Sequence, residues 1–154
     1  MNPRQIALVR SSWRQVLPIA EQAAEIFYAR LFELDPTLKP LFRGDMTEQG
    51  RKLMAMLGAV VAQLDRLGEL VPAVQQLGRR HAGYGVEDRH YDTVGEALLG
   101  TLRAGLGDAL SREAEEAWAT AYTTLARVMM RAAAARAAEI ASLERGAPSS
   151  SAAA

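Results

Sequence analysis

Cysteine is absent from the 154-residue chain. That removes disulfides, thiol nucleophiles, iron–sulfur clusters and thiolate-ligated metals in one step. Histidine is scarce: His81 and His90 are the two present, too few for a three-histidine zinc site or an HExxH helix. Charge of one sign is missing as well, with 18 Lys and Arg against 18 Asp and Glu. Interspersed charges that cancel give no basic stripe for nucleic acid and no acidic tail. No apolar run reaches the roughly 20 residues of a membrane helix, and Met1 to Ala7 lacks the basic start and apolar core of a secretory signal. A cytoplasmic location is therefore expected. Nor does a GxGxxG, GxxxxGK or GxSxG run occur. What survives is a site that asks little of the polypeptide, above all a cofactor that brings its own metal.

What is present reads as one ordinary globular domain, with 49% apolar and 23% charged residues in 154. The hydrophobic period is helical throughout. Ile6, Val9, Trp13 and Val16 share one buried face before Pro18. A helix from about Ile19 to Leu34 is expected to bury Ala23, Phe27, Leu31 and Leu34. Asp35 then suits an N-cap, with Pro36 opening a short turn through Pro40, Leu41 and Phe42. The strongest stripe is Leu53, Leu57, Val60, Leu64 and Leu67. Gly50 and Gly58 within it each cost about 1 kcal/mol against Ala, so they are expected to mark close packing.

A second stripe, Leu70, Val74 and Leu77, ends at His81 and leads into a turn holding Gly83 and Gly85. From Asp88 a helix carries Tyr91, Val94, Leu98 and Leu102, and Ser111 opens the last, with Trp118, Tyr122, Leu125 and Met129 inward. Beyond Arg131 the chain is Ala-rich with few large apolar groups, which predicts a solvated helical extension. Residues 146–154 are low-complexity and are expected to be disordered, leaving a domain over 1–145. No alternating β-branched run suggests a strand. The class is all-α.

Few residues here offer chemistry. A lone histidine is most often a satisfied core or helix-end residue. His81 differs in lying on an apolar stripe just before a glycine-bearing turn. A porphyrin supplies four equatorial nitrogens, so haem iron needs only one imidazole from the protein. Tyr28 reads equally well as an amphipathic core residue, and Gln49 as an exposed first-turn residue. On periodicity alone Lys52 and Arg80 are surface charges, and Phe42 and Tyr91 are packing residues. His90, with no carboxylate motif around it, reads as a surface histidine.

The joint spacing of several blocks resembles a globin. Ile26-Phe27-Tyr28-Ala29-Arg30-Leu31-Phe32 with Asp35-Pro36-Thr37-Leu38-Lys39-Pro40-Leu41-Phe42 looks like helices B and C and the corner after them. Leu77-Gly78-Arg79-Arg80-His81, then Gly85-Val86, then His90-Tyr91-Asp92-Thr93-Val94-Gly95-Glu96-Ala97-Leu98-Leu99, looks like helix F, the FG corner and helix G. The Trp118-to-Tyr122 stretch resembles helix H. Over roughly residues 5–130 the chain is similar to bacterial single-domain globins and the globin half of flavohaemoglobins, and in places to neuroglobins. The resemblance implies helices A, B, C, E, F, G and H, with little room for a D helix between Phe42 and Gln49.

It also implies roles. His81 matches the proximal ligand of haem iron, and the haem would be haem b, iron protoporphyrin IX. Phe42 matches the phenylalanine on the porphyrin face, Tyr28 and Gln49 the distal donor pair, and Leu53 the apolar residue above the iron. Lys52 and Arg80 fall where globins place propionate partners, while Leu77, Val86, Tyr91 and Val94 match the proximal lining. Two departures stand out. The proximal histidine of flavohaemoglobins is polarised by a tyrosine, matched by Tyr91, and by a glutamate whose position here is Ala135, with Glu139 one turn on. Gln49 stands where neuroglobins have a histidine, and an amide is a poor iron ligand, so a five-coordinate ferrous haem is expected.

Bound dioxygen takes on negative charge, and a charge-assisted hydrogen bond is worth roughly 1.5–3 kcal/mol, one to two decades in off-rate. The implied function is reversible oxygen binding with nitric oxide dioxygenation, Tyr28 and Gln49 holding the oxygen. With no FAD- or NAD-binding segment in 154 residues, a separate reductase is expected. The alternative is a non-enzymatic protein for oxygen storage, transport or sensing. O2, NO and CO are the expected ligands, and a monomer or weak dimer the expected state.

Overall fold

A computed structural model describes the backbone of residues 1–153 and the side chains of residues 1–146. Its order is α1 (Pro3–Val16), α2 (Ala20–Leu34), a 3-10 segment (Pro36–Leu41), α3 (Met46–Ala62), α4 (Leu67–Gly83), α5 (Asp88–Leu106) and α6 (Arg112–Ala153). Among the described residues there is no strand. These elements correspond in order to helices A, B, C, E, F, G and H, and no helix lies between Leu41 and Met46.

Local chemistry sets the boundaries. Asn2 and Gln5 form a reciprocal capping box, with Pro3 at the first helical position. Asp35 accepts from the Thr37 N–H at 3.0 Å, and Asp45 from the Thr47 N–H at 2.8 Å, starting the 3-10 segment and α3. Ser111 Oγ accepts from the Ala114 N–H at 3.0 Å where α6 begins.

The core gathers Val9, Trp13 and Val16 of α1, Phe27 and Leu31 of α2, Leu98 and Leu102 of α5, and Trp118 of α6. Trp118 Nε1–H donates to Ser12 Oγ at 2.7 Å within it, and the Ser12 hydroxyl lies 2.8 Å from the Leu8 carbonyl. Gly50 marks a close helix crossing as expected, since a Cβ there would sit 3.0 Å from Ala24 Cβ. Gly58 faces Trp13 at ordinary contact distance.

Three expectations require correction. The long stripe is not one helix: α3 stops at Ala62, Leu64 lies in a 3-10 turn, and Leu67 opens α4. Arg10 donates to the Val61 and Ala62 carbonyls at 3.1 and 3.0 Å, so a guanidinium replaces the N–H groups that a continued helix would supply. Leu34 is 50% exposed rather than buried, because α2 ends there, clear of the core. The Ala-rich extension is not purely solvated. Ala132 is buried, Arg79 makes paired 3.0 Å bonds to Glu139, and a Cβ on Gly78 would lie 2.5 Å from the Met129 carbonyl. Small residues let α6 lie directly on α4. Over the tail expected to be disordered, 146–154, the described backbone of α6 continues to Ala153, and side chains are described only as far as residue 146.

Candidate functional site

α3 and α4 flank the site, and their burial is unusual for amphipathic helices. The buried residues of α3 are Gly50 and Val61, and those of α4 are Val74 and Gly78. Leu53, Leu57 and Val60 on α3, with Leu70 and Leu77 on α4, remain half-buried. A leucine stripe normally disappears into the core, at about 1.5–3 kcal/mol per side chain. Two stripes left partly open, one of them ending at His81, leave apolar surface that the polypeptide itself does not cover.

His81 lies in the last turn of α4, with Nδ1 2.8 Å from the Leu77 carbonyl. A carbonyl only accepts, so Nδ1 carries the proton and Nε2 keeps its lone pair. Burial pushes the pKa of His81 down most, the Leu77 bond opposes this, and Arg80 adds to the lowering. The ring is thus a neutral, oriented imidazole. The chain then folds back, with the Val86 N–H donating to the His81 carbonyl at 3.0 Å. Gly85, at φ +93°, takes a conformation that favours glycine, and its Cα region approaches Leu41.

Across the site Tyr28 is buried in an aromatic cluster, its ring 5.0 Å from Phe27, 5.4 Å from Phe42 and 6.0 Å from Phe32. Burial raises the Tyr28 pKa, and a hydrogen bond with Gln49 offsets part of that. The phenol therefore stays protonated, a donor with an amide beside it. Gln49 owes its place to the Asp45 cap, whose carbonyl accepts the Gln49 N–H at 3.0 Å. The structure thus brings Tyr28, Gln49 and Phe42 together in one group, and Leu77, His81 and Val86 in another. Leu53 and Val94 pack half-buried against the core, and Lys52 and Arg80 are exposed, with no ion pair among the described residues.

Tyr91 is buried, its hydroxyl has no hydrogen-bond partner, and burial raises its pKa. The Tyr91 carbonyl accepts from Tyr122 Oη–H at 2.5 Å, which anchors the backbone but leaves the phenol unsatisfied. Glu139 does not take up the polarising role, because it is occupied by Arg79, and Ala135 is exposed.

His90 overturns the surface reading: it is 5% exposed. Its Nδ1 accepts the Glu87 N–H at 2.9 Å, closing a capping box that folds the ring over the start of α5. Its Nε2, without a hydrogen-bond partner, sits 4.0 Å from Asp35. Sequence reasoning also passed over Phe32, which joins Phe42 at 5.4 Å. The four-residue spacing from Tyr28 to Phe32 was the available sign, since it puts both rings on one helix face.

The residues fit a haem. Among the described residues no group of three His, Cys, Asp or Glu could hold a bare metal ion. A metal that arrives with its own equatorial ligands would meet an oriented imidazole, half-buried leucine stripes and, in Tyr91, a buried phenol without a hydrogen-bond partner. No helix among the described residues is long and apolar enough to cross a membrane.

Comparison with known proteins agrees. The globin family profile matches residues 25–129. A flavohemoprotein of Xylella fastidiosa is 33% identical over 131 residues, covering 83% of this chain and 33% of its own length. The chain thus spans about a third of that relative. Neuroglobin of Danio rerio is 32% identical over 145 residues, covering 85% of this chain and 91% of its own. Among solved structures, an engineered carbene transferase from Rhodothermus marinus superposes with a TM-score of 0.82 at 27% identity, over 92% of this chain and 99% of that one. A bacterial globin from Campylobacter jejuni shares the fold, with a TM-score of 0.74 at 23% identity, over 86% and 96%. Matched across most of its length, and built from the helices described above, the chain belongs to the globin family.

Proposed function

We propose that the chain holds haem b between α3 and α4, binds dioxygen reversibly, and converts nitric oxide to nitrate when a reductase outside these 154 residues supplies electrons. The observation that carries this reading is the pair of half-buried apolar stripes beside an imidazole whose Nδ1 is held 2.8 Å from Leu77. His81 Nε2 would be the metal ligand, Phe42, Leu53, Leu77, Val86, Tyr91 and Val94 the apolar cradle, and Lys52 and Arg80 the partners of the propionates. Haem held there would supply a redox-active iron able to take a diatomic ligand. Tyr28 and Gln49 would donate hydrogen bonds to a ligand that gathers negative charge, and Leu53 would keep water away. The relatives support the chemistry: several are flavohemoproteins, and the Rhodothermus marinus protein is named as a candidate nitric oxide dioxygenase.

The second reading, oxygen binding without turnover, is favoured by one observation. Glu139 is committed to Arg79 and so leaves His81 without a carboxylate to raise its electron donation. Sustained consumption of nitric oxide with a reductase present supports the dioxygenase; a single turnover supports the binder. An optical spectrum of the reduced protein, before and after CO, tests the haem itself. A Soret band, five-coordinate before CO and shifted by it, is the expected result. Its absence removes the reading, and a six-coordinate low-spin ferrous spectrum without CO contradicts the open distal side.

A further inference from the structure

We propose that His90 is a proton-operated latch on the corner between α4 and α5, which the neutral ring holds closed and the protonated ring releases.

Two successive amides of the corner are pinned. The Val86 N–H donates to the His81 carbonyl at 3.0 Å, and the Glu87 N–H donates to His90 Nδ1 at 2.9 Å. A backbone N–H only donates, so Nδ1 keeps its lone pair and the ring proton sits on Nε2. That second nitrogen is buried without a hydrogen-bond partner, and at 4.0 Å from Asp35 Oδ2 it is beyond bonding reach.

A further proton can enter only at Nδ1. There it would face the Glu87 N–H, donor against donor, so the cap and the charge exclude one another. A buried charge persists only when it is paired. The carboxylates that feel a charge on His90 are Asp35 and Glu87. Both already serve Arg89, at 3.5 and 2.7 Å, and Asp35 also accepts from the Thr37 hydroxyl and N–H. Arg89 carries the same sign as an imidazolium and is its chain neighbour. The protonated ring therefore turns out to water instead of settling on Asp35. The other half of the capping box, the Glu87 side chain on the first turn of α5, stays in place. The helix survives while the corner loosens, and the loosening reaches the Val86–His81 bond one residue away. Acid opens the latch because the open form binds one more proton.

Amide exchange of the full chain, kept reduced under CO and followed by NMR from about pH 8 to about pH 5, covers the range in which an imidazole changes charge. After correction for intrinsic exchange, protection of the Glu87 amide should fall about tenfold or more, since opening linked to one proton gains about tenfold per pH unit. Protection of Val86 should fall with it. The Ala114 amide, capped by Ser111 at 3.0 Å, should stay unchanged. His90→Asn puts an amide oxygen where Nδ1 stood, an acceptor that does not titrate, and its Glu87 protection should vary less than about twofold. Steady protection of Glu87 in the native chain overturns the proposal, as does an equal fall in His90→Asn. If that variant does not fold, the ring nitrogen resonances of the native chain decide. Nδ1 must gain its proton in step with the opening at Glu87, and opening without it overturns the latch. A chain without a Soret band removes the haem reading and leaves the latch standing, because none of these signals needs the pigment.

Discussion

Tyr28 carries the sharpest single-residue expectation. Its hydroxyl adds nothing to the aromatic cluster with Phe27, Phe32 and Phe42, so Tyr28→Phe should leave the fold intact. Loss of one charge-assisted donor should speed oxygen dissociation about tenfold or more, measured by stopped-flow displacement with CO; an unchanged rate makes Tyr28 a packing residue. Asp35 is a residue of stability rather than of ligand chemistry. Its carboxylate accepts from the Thr37 hydroxyl and N–H and lies beside Arg89, which holds it below the ordinary value of 3.8. A carboxyl with a lowered folded pKa contributes stability that is complete above its unfolded value and is lost as pH falls through the folded one. The gap in urea midpoint between the native chain and Asp35→Asn should therefore stay constant from about pH 5 to 7 and narrow below about pH 4. A constant gap down to about pH 2 would detach the carboxylate from this role. The residues legible in the sequence were those with a distinctive neighbour pattern, His81 before its glycine turn above all. His90 was not, because a capping box that turns a ring inward depends on backbone direction at Glu87, which hydropathy does not encode.

Among elements, α4 depends on α6. Gly78 allows the two backbones to touch, and its Cβ would fall 2.5 Å from the Met129 carbonyl, an atom that cannot step aside. Gly78→Ala should cost about 1–3 kcal/mol by overpacking, read as a lower denaturation midpoint, and should weaken haem retention by displacing the helix that carries His81. Full stability in that variant would show that the helices part freely. The helices themselves were legible from the 3.6-residue period and from caps such as Asp35 and Ser111. The division of the long stripe was not, because Leu64 and Leu67 keep the apolar register across the break at Gln63. The break is specified by Arg10, far away in sequence.

The whole molecule closes around a polar contact in an apolar centre. Ser12 of α1 satisfies the indole N–H of Trp118 on α6, residues 106 apart in the chain, next to the Trp13–Trp118 ring pair at 6.1 Å. Ser12→Ala leaves that N–H buried and unpaired, and about 1–3 kcal/mol of unfolding free energy should disappear, measurable by urea titration with tryptophan fluorescence. A neutral result would mean that water reaches the indole. The globin fold was legible because blocks of several residues kept their relative spacing. The packing of the Ala-rich extension on α4 was not, since Ala132 and Gly78 contribute contact through the absence of bulk. The Arg10 cap on α3 carries its own consequence. Because the side chain that closes the Val61 and Ala62 carbonyls, and pairs with Asp65 at 2.9 Å, belongs to the first helix, trimming the N-terminus weakens a segment fifty residues downstream. A protease given the shortened chain should nick first between Gln63 and Arg66, far from the cut that exposed it.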